Sequence, residues 1–193
     1  MIAAYGYGNI EVCREGTAMF GITLSMQSTA EPFWALVDKA SAFESSPSIR
    51  TLGYVPHITL SRYAAIAVDD LVANIDAFAG EGPFELTFDK LSAFDTDPLI
   101  LWLAPNHDQR LLNLYERGQS FVDPSLCDPH YRPDLWRPHL TVATAISSER
   151  RQAALAFAGR PIEPFKIRFD RIDFVSWPPV SVLRTLDLLH PQN

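Results

Sequence analysis

The sequence predicts an α+β protein of two similar lobes packed about a pseudo-two-fold axis. Three observations carry this expectation. The segment Pro83-Phe84-Glu85-Leu86-Thr87-Phe88-Asp89-Lys90-Leu91 returns 81 positions later as Pro164-Phe165-Lys166-Ile167-Arg168-Phe169-Asp170-Arg171-Ile172. Pro56-His57-Ile58-Thr59-Leu60 returns 82 positions later as Pro138-His139-Leu140-Thr141-Val142. Strand-like and helix-like stretches follow in the same order around both pairs. Two independent segments displaced by nearly the same distance argue for a duplicated strand–helix–strand–helix–strand unit. Two copies are too few for a solenoid, which leaves a layered architecture. The chain is expected to form a single domain over residues 1–193, with lobe one at about 17–95 and lobe two at about 98–189.

The elements follow in order. Residues 18–26 form an apolar run that suits a buried strand. Residues 31–44 place Phe33, Leu36, Val37 and Ala40 at helical spacing, with Pro32 near the start, where a helix tolerates it. Residues 56–60 read as a short strand. Asp69 to Ala79 reads as a helix, with Asp69 or Asp70 near its N-terminus, and residues 84–94 alternate as a strand does. The order then restarts. Residues 99–104 are an apolar strand, and Asp108 to Phe121 is a helix with Leu111, Leu112, Leu114 and Tyr115 on its apolar side. A proline-rich loop at 123–138 precedes a strand at 138–142. A helix from about Ser148 to Ala158, with Ser147 as cap, and a strand pair at 165–176 and 180–189 complete the unit. Residues 1–16 match neither pattern.

The bulk properties narrow the functional classes. The 193 residues carry a net charge of −7, which argues against an extended nucleic-acid surface and for a small anionic ligand or a short RNA end. Cys13 and Cys127 form neither a metal-ligand spacing nor a disulfide framework, so a reducing, cytoplasmic setting is expected. The N-terminal residues lack the pattern of a signal peptide. No stretch reaches the roughly 18 apolar residues of a membrane span.

The chemistry lies in the repeated Pro-His-aliphatic-Thr-aliphatic motif. Alternate residues of a strand face one side. His57 and Thr59 therefore share a face, opposite Ile58 and Leu60, and His139 and Thr141 share one opposite Leu140 and Val142. If a two-fold relates the lobes, these faces meet across a cleft. One neutral imidazole can then take a proton from water while a protonated one gives a proton to a leaving oxygen. The threonine hydroxyls can donate to non-bridging phosphate oxygens. Such a site needs neither metal nor cofactor.

Paired His-x-Thr motifs, one per lobe, resemble the 2H phosphoesterase superfamily, which includes 2′-5′ RNA ligase-like proteins and cyclic nucleotide phosphodiesterases. The likeness runs from about residue 18 to 189 and extends to the strand Leu99–Ala104 with Trp102 and to the Arg137-Pro138 context of the second motif. It implies a bilobal fold of two antiparallel β-sheets flanked by helices with a central cleft. It also implies a metal-independent reaction, no cofactor, and His57 and His139 as the catalytic pair. The implied substrates are nucleoside 2′,3′-cyclic phosphates, 2′-5′ linkages or ADP-ribose cyclic phosphate, as in RNA processing.

Further candidates flank the motifs. Arg62 is expected on the His57–Thr59 face, where it would help hold phosphate. In the 123–137 loop, Tyr131 or Trp136 can stack on a base, and Arg137 or Arg132 can pair with phosphate. Tyr54 is a weaker candidate, and His130 weaker still. His107 and His190 read as structural, and Lys90, Lys166, Arg168 and Arg171 as solvated edge residues. Two other classes compete with the phosphodiesterase. One is a nucleotide- or RNA-end-binding module that uses the same pocket without turnover. The other is a metal hydrolase using His57, His139, His130 and a carboxylate, for which no HExxH motif or close ligand spacing is present.

Overall fold

The computed structural model describes residues 18–27, 30–64, 66–120 and 122–189. Residues 1–16, Cys13, Phe121 and His190 lie outside them. Among the described residues, eight strands and five α-helices follow the chain. These are β1 (Met19–Ser25), α1 (Glu31–Ala40), α2 (Ser48–Thr51), β2 (His57–Tyr63), α3 (Val68–Ala73), β3 (Phe84–Phe94), β4 (Leu99–Pro105), α4 (Gln109–Gln119), β5 (Leu140–Ile146), α5 (Arg151–Ala158), β6 (Phe165–Phe169), β7 (Arg171–Trp177) and β8 (Ser181–Asp187).

The fold is α+β, and every strand pairing is antiparallel. The expectation of two separate sheets is not met. The strands form one eight-stranded sheet in the order β6-β3-β4-β5-β2-β1-β7-β8. Its middle seam, between β5 and β2, consists of the single pair Ile58–Leu140, one residue beyond each histidine. Each half draws on both repeats: β3 stands beside β4 and β6, while β7 and β8 extend β1. The expected strand at 165–176 is accordingly two strands. Its first part, β6, pairs with β3; its second, β7, pairs with β1; only Asp170 separates them. One residue thus links β6, at one end of the strand order, to β7, one strand short of the other end, so the sheet curls back on itself.

A seam of one pair is weak alone, and helices reinforce it. α1 and α2 pack on β5, whereas α4 packs on β2, so each helix grips a strand from the other repeat. Pro32 sits in the first turn of α1, and Asp108 caps α4 by accepting from the backbone N–H groups of Arg110 (2.9 Å) and Leu111 (3.3 Å). Ile58, Leu60, Leu140 and Val142 are buried under these helices in one continuous apolar core.

Three helices differ from expectation. α1 ends at Ala40 and continues as a 3-10 turn over Ser41–Phe43. The Asp69–Ala79 segment is α3 followed by a 3-10 turn, Ile75–Phe78, with Ala67 at the cap position. α5 begins at Arg151, and its cap position is Arg150, which makes no side-chain cap bond; Ser147 is not the cap.

A β-bulge interrupts β2 just after the motif. Thr59 pairs with Thr23 and Ser61 with Ile22, so Leu60 is an extra residue. Strict alternation from His57 would put Ser61, not Arg62, on the histidine face. The bulge advances the phase by one residue and returns Arg62 to that side.

Candidate active site

Both histidines are held the same way. Nδ1 of His57 lies 2.9 Å from the Val55 carbonyl, and Nδ1 of His139 lies 2.7 Å from the Arg137 carbonyl. A carbonyl only accepts, so each Nδ1 carries the hydrogen and the neutral ring presents Nε2 as its acceptor. The carbonyl is two residues before the histidine in each case, a consequence of the chain turning through proline into the strand.

The antiparallel register at Ile58–Leu140 sets His57 across from Thr141 and Thr59 across from His139. Each histidine therefore has one threonine two residues along its own strand and a second on the facing strand. All four side chains are half-buried. Burial pushes the His57 pKa below its usual value, against the opposing pull of the Val55 carbonyl and the Asp173 carboxylate. Burial pushes the His139 pKa down as well, to about 4, despite its bond to the Arg137 carbonyl; the neighbouring positive charges of His57 and Arg62 add to the fall. The two rings and the guanidinium thus share one electrostatic environment.

The remaining expected residues cluster around His139. Arg62 binds Asp128 through Nε (3.0 Å) and through its terminal nitrogen, and sits over the Tyr131 ring at 5.2 Å. That ion pair also depresses the Asp128 pKa, against the effect of its burial. Tyr131 is buried; its carbonyl accepts from the Tyr115 hydroxyl at 2.8 Å. Trp136 stacks on Tyr115 with ring centroids 3.8 Å apart, and its indole N–H donates to the Thr59 carbonyl at 3.0 Å. One face of that indole is therefore occupied by the protein. Arg137 is exposed, with its carbonyl engaged by His139. Tyr131, Trp136, Arg137 and His139 join Phe94, His130 and Leu135 in lining a cavity of about 250 Å³.

The loop that brings them there is built from two Asp-Pro turns. Asp123 caps Pro124–Leu126 by accepting from the Ser125 N–H at 2.8 Å, and Asp128 caps Pro129–Tyr131 by accepting from the His130 N–H at 2.9 Å. Arg132 spends its guanidinium on the Cys127 and Ser125 carbonyls, which locks the loop. Cys127 is buried, with its thiol pKa raised chiefly by that burial.

Sequence reasoning missed Phe94 and Asp173 as neighbours of the two rings. Phe94 packs edge-on to His139 at 5.2 Å, with Trp102 edge-on at 6.0 Å. On the other side, the Tyr54 ring lies 4.8 Å from the His57 ring, and its hydroxyl donates to the buried Asp173 at 2.6 Å. The signal for Asp173 was available as a lone acid in the apolar run Ile172–Val175. His107 is exposed, as are Lys90, Lys166 and Arg168, while Arg171 is half-buried and ion-paired with Asp187 at 3.5 Å. Among the described residues no group of three His, Cys, Asp or Glu side chains is arranged to hold a metal, and no helix is long and apolar enough to cross a membrane.

A family model for the 2′-5′ RNA ligase superfamily matches residues 31–180, a span that includes both His-x-Thr motifs and the loop between them. The chain belongs to that superfamily, the 2H phosphoesterases. Its fold is similar to that of E. coli LigT complexed with 3′-AMP, at 15% identity and a TM-score of 0.58 over 88% of this chain and 97% of that one. It is also similar to TT0787 of Thermus thermophilus, at 15% identity and 0.57 over 90% and 100%. The Usb1 protein of Kluyveromyces marxianus matches at 12% identity and 0.51 over 88% and 98%. No curated protein matches the chain. For this 2H phosphoesterase the structural likenesses establish the fold.

Proposed function

We propose that this 2H phosphoesterase is a metal-independent phosphodiesterase acting on a 2′,3′-cyclic nucleotide phosphate or a 2′-5′ linkage. The observation that carries the reading is the matched pair of Nδ1-anchored imidazoles on either side of the Ile58–Leu140 pair. Each ring is turned so that Nε2 is the nitrogen that exchanges protons.

The difference in charged neighbours supports an assignment of roles. His139, with the charges of His57 and Arg62 nearby, acts as base; His57, with the Asp173 carboxylate nearby, acts as acid. His139 Nε2 takes a proton from water as the water oxygen bonds to phosphorus. The bond from phosphorus to the ribose oxygen breaks, and that oxygen takes the proton from His57 Nε2. Thr59 and Thr141 donate to the non-bridging oxygens, whose developing charge strengthens those bonds. The cavity beside His139 holds the base between Phe94, Leu135 and Trp136, with Arg137 at its rim. That E. coli LigT was crystallised with 3′-AMP, NADP+ and ATP supports a nucleotide as occupant. A cytoplasmic setting and a part in RNA processing accord with such a substrate.

The test is incubation of 2′,3′-cyclic nucleotides and 2′-5′ dinucleotides with wild type, His57→Ala and His139→Ala, with and without chelator. The expected result is chelator-resistant turnover that falls about 10²–10⁴-fold in either variant. Binding without turnover across the panel would instead make the chain a nucleotide-binding module.

A further inference from the structure

His57 and His139 are held alike but surrounded differently, and the difference centres on Asp173. This carboxylate, in β7, is 2% exposed. It accepts from Ser25 Oγ at 2.6 Å, from the Tyr54 hydroxyl at 2.6 Å and from Thr185 Oγ1 at 2.7 Å. The Tyr54 oxygen in turn lies 2.8 Å from Thr23 Oγ1. Three neutral donors satisfy the oxygens without cancelling the charge. Among the described residues no arginine or lysine reaches Asp173 within ion-pair distance; its neighbour Arg171 pairs with Asp187 instead. Burying a charge that lacks a cation partner is costly, and an uncharged side chain would fill the same position more cheaply.

The network leads to His57 by two routes. Tyr54 donates to Asp173 with its hydroxyl and packs its ring on His57 at 4.8 Å. Ser25 donates to Asp173 and is the register partner of His57 in the β1–β2 ladder. The corresponding positions near His139 carry no acid. Counting 81 residues back from Asp173 gives Ser92, and counting 82 on from Tyr54 gives Trp136, whose N–H goes to a backbone carbonyl. His139 has Phe94 and Trp102 against its ring instead.

We propose that Asp173, acting through Tyr54, is a positioning residue that holds the His57 ring and stabilises its protonated form, making His57 the proton donor of the pair. The charged groups that face this network are few. Arg171 is paired with Asp187, Arg50 is paired with Asp38, and Arg62, on the His139 side, is paired with Asp128. Asp173 is the acid among them whose charge lies buried behind His57. The proposal rests on the two-histidine reading for its catalytic meaning, but the link from Asp173 to His57 stands or falls independently.

The test is an NMR titration of the imidazole nitrogens of the full chain as wild type, Tyr54→Phe and Asp173→Asn. Removing an anion lowers a histidine pKa, so the His57 midpoint should fall by about one unit or more in Asp173→Asn. It should fall less in Tyr54→Phe, which keeps the ring but loses the hydroxyl, with the His139 midpoint nearly unmoved. The high-pH limb of kcat/KM should move the same way in both variants. If Asp173→Asn does not fold, Tyr54→Phe decides alone. An unmoved His57 midpoint in every variant that folds overturns the proposal. A moved midpoint in a protein that cleaves no phosphodiester would support the Asp173 link and sink the phosphodiesterase reading.

Discussion

Leu60 and Val142, 82 positions apart, are each the extra residue of a β-bulge directly after a His-x-Thr motif. Leu60 falls between the pairs Thr59–Thr23 and Ser61–Ile22, and Val142 between Thr141–Trp102 and Ala143–Leu101. Bulges twist and re-aim a strand. Here each leaves its histidine and threonine on one face and changes the phase beyond them. In β2 the next residue to reach that face is Arg62.

The β2 bulge needs close approach of β1, which a side chain at Gly21 would block. A Cβ there would stand 2.9 Å from the Ser61 carbonyl oxygen and 3.0 Å from the Trp177 ring. Gly21→Ala should destabilise the fold by about 1–3 kcal/mol through overpacking. Urea denaturation should show a lower midpoint; an unchanged one would contradict the close approach.

The two threonines occupy equivalent places across the seam, so Thr59→Ala and Thr141→Ala should have similar effects. Loss of one hydrogen bond to a charged oxygen is worth about 1.5–3 kcal/mol, roughly a 10- to 150-fold loss in kcat/KM. Serine at either position should restore most of it. Steady-state kinetics on a cyclic nucleotide check this, and a threonine variant with full activity removes that residue from phosphate binding.

The pH profile follows from the two ring environments. Catalysis needs His139 neutral and His57 protonated. The kcat/KM profile should rise through about pH 4 as His139 loses its proton, and fall as His57 loses its own below 6.5. Its maximum therefore lies on the acid side of neutrality. Bound phosphodiester is an anion and raises both pKa values, so the kcat profile should sit at higher pH. A flat kcat/KM between about pH 4 and 9 is incompatible with the pair.

The same burial makes the fold acid-sensitive. A histidine whose folded pKa lies below its unfolded value binds fewer protons when folded, so stability is full above about 6.5 and declines as pH falls towards 4. Thermal melts should show Tm falling across that window. His139→Gln should flatten the fall, and a melt profile identical to wild type would place the acid sensitivity elsewhere.

Much of this was legible in the chain itself. Strands β1, β3 and β4 and helix α4 lie close to where apolar spacing puts them, because β1 and β4 are apolar runs buried on both faces over much of their length and β3 and α4 each bury one face. Helix ends were less legible: the expected helix from Ser148 starts at Arg151, since Ser147 makes no cap bond. Arg62 is expected on the histidine face, but strict alternation gives that place to Ser61; a bulge that spacing does not reveal brings Arg62 to that side.

The sequence by itself determined that two His-x-Thr strands recur 82 residues apart with their apolar faces turned to a core, because strand periodicity and burial are local properties. Only the tertiary structure decided that the strands join into one curled sheet, and that Phe94, Asp173 and the Asp128 loop gather around the two rings. Those placements depend on contacts between residues distant in the chain. The Asp173–Tyr54 bond spans 119 positions, and no local pattern encodes it.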